Sequence, residues 1–196
     1  MAVPLFDPDG FFEEHDDVPF LVSFAIVTAA GIVGALMIYL NFPIIEEGIV
    51  RELVKSGLSV EKARMLAEFV KTYLIVAPLI GSYIAWILLG GLIQVFSALL
   101  GGEGEFSKTL KFVAFGFLPS LVLAPVSYVV VSMTHDLTSL PVKLVGIAST
   151  IWQFYILTFA VKHARNLSVK NSAICVLLAI VVSMLLRFAG NLFRPS

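Results

Sequence analysis

Five stretches of this chain are apolar for at least the length that a helix needs to cross a bilayer. They run from about Pro19 to Asn41, Thr72 to Leu100, Thr109 to Met133, Val142 to Ala164 and Ser172 to Leu192. A hydrocarbon core of about 30 Å takes roughly 20 helical residues. Inside it every backbone N–H and C=O must find a partner within the protein, and a helix does this unaided. The pattern therefore predicts an all-α, polytopic integral membrane protein of the cell membrane. It has five transmembrane helices, amphipathic connecting helices and a single membrane domain over 1–196. Composition agrees: of 196 residues, 59% are hydrophobic and 14% are charged, where soluble domains carry about a quarter charged residues.

Residues 1–18 hold six acids and neither Lys nor Arg. With no basic segment ahead of it, the first apolar run reads as a retained span rather than a signal peptide. Asp7-Pro8 has the form of a helix start, Asp as N-cap and Pro at the first position. Phe6, Phe11 and Phe12 would rest at headgroup level, giving a short interfacial foot. The alternative is a frayed polar tail.

The connection 44–70 is the longest polar one, and its acids and bases balance. Ile45, Ile49 and Leu53 recur every four residues, Gly57 breaks the pattern, and Ser59 is placed to cap a second helix. The segment reads as two short amphipathic helices. They either lie on the membrane or extend the flanking spans beyond it. Asn41-Phe42-Pro43 is expected to end the first span, and Pro78 to bend the second. Glu46-Glu47-x-x-x-Arg51 matches a motif of intramembrane metalloproteases and Phe159-x-x-x-His163 imitates a second, but the two lie far apart and the third motif, with its further His, is missing. Glu47 facing Arg51 across one helical turn is the simpler reading.

Small residues at helical spacing let helices approach closely in lipid, where packing rather than water exclusion drives association. Ala30, Gly31, Gly34, Ala35, Gly81 and Ala85 are read this way. Gly116, Pro119 and Pro125 shape the third span. Such faces also suit self-association into a homo-oligomer. Trp152, Gln153 and Tyr155 lie deep enough to pack within the bundle.

No Asp, Glu, Lys or His falls clearly inside a span, and Arg187 is near enough to an end to snorkel. Ion-coupled carriers keep ionisable groups there, so coupled transport is disfavoured. A cavity for a neutral solute would draw on Gln94, Ser120, Ser127, Gln153 and Tyr155. The lone Cys175 has no disulfide partner and reads as a small buried hydrophobe. Neither a catalytic constellation nor a cofactor motif emerges, and a net charge of −1 gives no reason to expect nucleic acid. The candidate contact residues are Lys108, Lys111, Lys162, Arg165 and Lys170, with Glu103 and Glu105 beside them. With five spans, their loops share a face with the N-terminal tail. They either bind anionic headgroups or an acidic partner, or simply flank and fix the spans. Basic residues are more numerous on the opposite side, in 44–71 with Lys143, Arg187 and Arg194, and the count favours an outside N-terminus.

Several segments, in order, resemble the Ypt-interacting-protein (Yip) domain family in its short prokaryotic form. They are FDPDGFFEE before the first span, Gly57–Ala63 before the second, the Gly-Gly-x-Gly-x-Phe-Ser-Lys run at 101–108, Ala114–Ser120, and Ile151–Ala173. The resemblance implies five spans, a cytosolic N-terminus, and association with Rab-type GTPases or with further copies. The Asp-Leu-Tyr-Gly-Pro motif of eukaryotic members is absent here, and their Tyr-Gly-Tyr motif is met only by Phe115-Gly116-Phe117. A non-enzymatic organiser of lipids or partner proteins is the expected function. A small transporter or channel for a neutral or lipid-like solute is the alternative.

Overall fold

The computed structural model describes residues 3–16 and 18–192, with side chains through 186. Asp17, Arg194 and the Arg187 side chain lie outside the described residues. The chain forms α1 (Pro8–Glu14), α2 (Phe20–Lys55), α3 (Val60–Leu99), α4 (Phe106–Val113), a 3-10 turn (Ala114–Phe117), α5 (Leu118–Thr134), α6 (Leu140–Arg165) and α7 (Val169–Leu192). Among the described residues there is no strand, and five helical stretches are long and apolar enough to cross a membrane.

The connection 44–70 belongs to the spans themselves. Helix α2 has 36 residues and α3 has 40, about 54 and 60 Å at 1.5 Å per residue. Both exceed a bilayer core, so they continue as a helical hairpin beyond the apolar runs. The turn between them uses Gly57 at φ +97°, where a Cβ would be strained. Ser59 Oγ accepts from Lys62 N and caps α3, as its position predicts. Pro43 does not end the first helix; α2 runs through it. The one hydrogen bond lost there is outweighed by helix on both sides, and Asn41 Nδ2 donates to Met37 O at 2.7 Å. The third span is broken by the 3-10 turn, followed at once by Pro119 in the first turn of α5, where its missing N–H costs nothing.

The chain divides into two compact units. One comprises the described residues of 1–27, 84–119 and 150–196; the other comprises 28–83 and 120–149. In the first unit the core gathers Phe12, Val18, Phe112, Phe115, Ile156, Ala160 and Ala164. Gly116 lies against Leu157 so closely that an added Cβ would stand 2.7 Å from its Cδ2. Trp86 Nε1 donates to Leu110 O at 2.7 Å, tying α3 to α4.

In the second unit the small-residue face of α2 packs within the chain. A Cβ on Gly31 would lie 3.1 Å from Leu79 Cα and 2.8 Å from Ser82 Oγ; one on Gly34 would lie 3.0 Å from Pro78 Cβ. Thr28 and Tyr83 share a hydroxyl–hydroxyl hydrogen bond of 2.5 Å, and Lys71 Nζ sits 4.6 Å over the Phe42 ring. Ala30 and Ala35 are half-buried, as is Ala85, which falls in the first unit. Gly81 has open space beside it, and Pro125 is exposed within α5.

Candidate functional site

Three segments distant in sequence meet in the first unit: α1, the Gly101–Glu105 turn and the last turn of α6. Helix α1 begins where Asp7-Pro8 predicts, with Asp7 Oδ1 accepting from Gly10 N at 3.1 Å. Seven residues are too few for a helix to persist alone in water, so its packing must hold it. Phe12 is fully buried, its ring 4.7 Å from Phe112 and 5.4 Å from Phe115. Phe11 packs on Phe115 and stacks with His15. Trp152 Nε1 reaches back to donate to Leu5 O at 2.8 Å. The foot thus rests on protein, and of the three phenylalanines Phe6 alone stays largely exposed.

Charge pairing reinforces this docking. Asp9 Oδ1 lies 2.5 Å from Lys162 Nζ and 2.6 Å from His163 Nε2. The Lys162 ammonium, followed by His163, holds the Asp9 carboxyl below its usual range despite some burial. Asp16 pairs with Lys108, which lowers its pKa in the same way. Two of the basic residues singled out from sequence, Lys108 and Lys162, are therefore engaged by the chain's own acidic N-terminus.

Arg165 has a different place. It is 3% exposed, and its guanidinium donates from Nε to Ser97 Oγ at 2.8 Å, from one terminal nitrogen to Gly102 O at 2.8 Å and from the other to Gly104 O. Its own carbonyl accepts from Glu103 N at 2.9 Å. The Gly-rich turn is wrapped round this side chain. Gly102 and Gly104 are needed because Cβ atoms there would strike Ser97 O and Ala164 O, and Gly104 has φ +146°. Among the described residues no carboxylate pairs with Arg165; carbonyl dipoles carry that role, and a cation at the end of α6 also suits the helix dipole. Around it, Thr109 Oγ1 donates to Gln94 Oε1 at 2.9 Å, and Ser97 Oγ to Gln94 O at 3.0 Å. Gln94 is thus part of the brace around the turn.

The remaining predicted contact residues are dispersed. Lys170, Glu103 and Glu105 are exposed, Glu105 accepting from Ser107 Oγ at 3.1 Å; Lys111 is half-buried, and its carbonyl accepts from Ser23 Oγ. Sequence reasoning gave Asp9, Asp16 and Ser97 no contact role and set Phe12 at headgroup level, where the structure buries it against Phe112 and Phe115. A signal for the first two was present: an all-acidic tail and two basic loops fall on one face of any five-span chain.

Among the described residues, no three His, Cys, Asp or Glu side chains gather to hold a metal ion. Nor does Glu47 form an ion pair with Arg51; both line an open cleft. Tyr155, expected to pack within the bundle, is exposed and touches Phe159 edge-on at 5.3 Å; Cys175 is buried with its thiol toward Ile93 O. Ser120 and Ser127 line a groove of about 380 Å³ in the second unit together with Ser149. What the first unit's arrangement can do is hold a short acidic, aromatic helix against the basic start of α4 and the basic last turn of α6.

Five helices of spanning length, a docked N-terminal helix and a Gly-rich turn fixed by a buried arginine define the class: a multi-pass helical membrane protein. The chain belongs to the Yip1 domain family, whose model matches residues 4–190. It is 28% identical over 130 residues to an uncharacterised protein of Methanocaldococcus jannaschii, covering 63% of this chain and 85% of that one. No solved structure matches it.

Proposed function

We propose that this protein is a non-enzymatic organiser of the cell membrane, acting by contact with partner proteins or lipids. The observation that carries this reading is the docking of α1. An acidic, aromatic segment is held by the buried Phe12 ring, by Phe11 against Phe115 and the Trp152–Leu5 bond, and by ion pairs at Asp9 and Asp16. Exposed ion pairs contribute little and yield to competing charge, so a partner segment or anionic headgroups can exchange with the acids at Lys108 and Lys162. The GTPase association implied by family resemblance is one form such a partner could take.

Native mass spectrometry of the full chain from gentle detergent tests the reading, with Asp9→Asn/Asp16→Asn as the comparison. Retention of a specific protein, a second copy or a lipid, altered in the variant, is the expected result. A strictly monomeric, partner-free protein that moves a solute in liposomes would overturn it.

A second reading, a carrier for a neutral or lipid-like solute, is favoured by the groove around Ser120 and Ser127. Ser120 and Ser127 line this groove; Gln94, Gln153 and Tyr155 do not. Solute flux in liposomes, reduced by Ser127→Leu, is its test.

A further inference from the structure

A cleft in the second unit has the chemistry of a zwitterion site. It holds about 480 Å³ and is lined by Pro43, Glu46, Glu47, Val50, Arg51 and Arg64. That volume lies within the usual range for small-molecule sites, roughly 300–1,000 Å³. Its charged side chains are two carboxylates and two guanidinium groups, which sum to zero. Among the described residues, none of the four side chains makes an ion pair or a hydrogen bond. Glu47 and Arg51 are spaced to pair along one helix and do not, so both signs of charge face the cleft uncommitted.

Its depth is fixed by its neighbours. Lys71 over the Phe42 ring sets α2 and α3 in register. Apolar sequence runs inward from both residues, and charged sequence outward. Tyr39, Phe69 and Tyr73 lie near this level and are exposed, Phe69 by 81%. Aromatic side chains of this kind collect where hydrocarbon meets water. Glu46 and Glu47 lie about one helical turn outward from Phe42 on α2 and Arg51 about two and a half turns, while Arg64 lies about two turns outward from Lys71 on α3; the long arginine side chains can reach back toward the membrane. The cleft thus opens at headgroup level.

We infer that it binds the headgroup of a phospholipid carrying a primary ammonium, of the phosphoethanolamine type. Arg51 and Arg64 take the phosphate, for which guanidinium is the matched donor. Glu46 and Glu47 accept the ammonium N–H groups. A neutral site of this make-up discriminates against an anionic headgroup without an amine, because such a ligand leaves both carboxylates unpaired beside its phosphate. It shares no residue with the docking of α1, and its failure would leave the reading of that docking untouched.

The test is native mass spectrometry of the full chain equilibrated with equimolar phosphatidylethanolamine and phosphatidylglycerol. The expected result is preferential retention of phosphatidylethanolamine. Arg51→Gln/Arg64→Gln should lower that retention roughly tenfold or more. Glu46→Gln/Glu47→Gln should reverse the preference toward phosphatidylglycerol, a gain that misfolding cannot produce. Equal retention of the two lipids by the unaltered chain, or no reversal in the second variant, would overturn the inference. So would soluble phosphoethanolamine binding as well as the lipid, since the site would then read a free metabolite and not a membrane.

Discussion

Arg165 Nε donates to Ser97 Oγ at 2.8 Å and so joins the end of α6 to the end of α3. The same guanidinium holds Gly102 O and Gly104 O, and a single side chain shapes the whole 101–105 turn. Arg165→Met should cost about 2–4 kcal/mol, because it removes charge-assisted bonds and leaves buried carbonyls unpaired. Arg165→Lys should recover part of this, since an ammonium cannot reproduce the fork. Thermal unfolding in detergent, followed by the exposure of Cys175 to maleimide, measures both.

Glycine substitutions should separate close approach from mere smallness. Gly31→Ala and Gly116→Ala place a methyl within 3 Å of neighbouring atoms and should lower the unfolding temperature. Gly81→Ala has nothing within 4 Å of the added methyl and should be neutral or raise stability by up to about 1 kcal/mol through helix propensity. Parallel melts of the three variants decide it.

Phe12→Ala should release α1. Loss of a buried ring costs about 3–5 kcal/mol, more than the surface ion pairs supply. Amide hydrogen exchange over 8–14 should rise sharply while α3 and α6 stay protected. Trp152 fluorescence should shift as its bond to Leu5 O is lost.

Docking of α1 should also depend on acid. The Asp9 carboxyl is held below its usual value of 3.8 by the Lys162 ammonium first, then by His163. A carboxylate with a lowered folded-state pKa binds fewer protons folded than unfolded. Its contribution is therefore fully present above that usual value and is lost as pH falls through the lower, folded one. Hydrogen exchange in α1 should be steady from neutral pH to about 4, once corrected for intrinsic rates, and rise below. In Asp9→Asn this step should be smaller, leaving the contribution of Asp16.

Much of the fold was legible in the sequence because lipid leaves few choices. Apolar runs of spanning length set five helices, and Asp7-Pro8, Gly57 and Ser59 marked true boundaries. Pro43 misled, because a proline ends a helix only when nothing beyond it favours continuing, and the α2–α3 hairpin does. The 44–70 segment had two open readings for the same reason: its periodicity fits a helix on a membrane as well as one standing out from it.

Sequence by itself determined the solvent this protein is built for, the helical secondary structure and the number of spans, since these depend on local hydrophobicity and backbone hydrogen bonding. Which charges find each other was decided only in three dimensions. Lys162 with Asp9, Lys108 with Asp16 and Arg165 with the glycine carbonyls are separated by 61 to 153 positions. Coulomb attraction and burial act through space, and no periodicity along the chain records them.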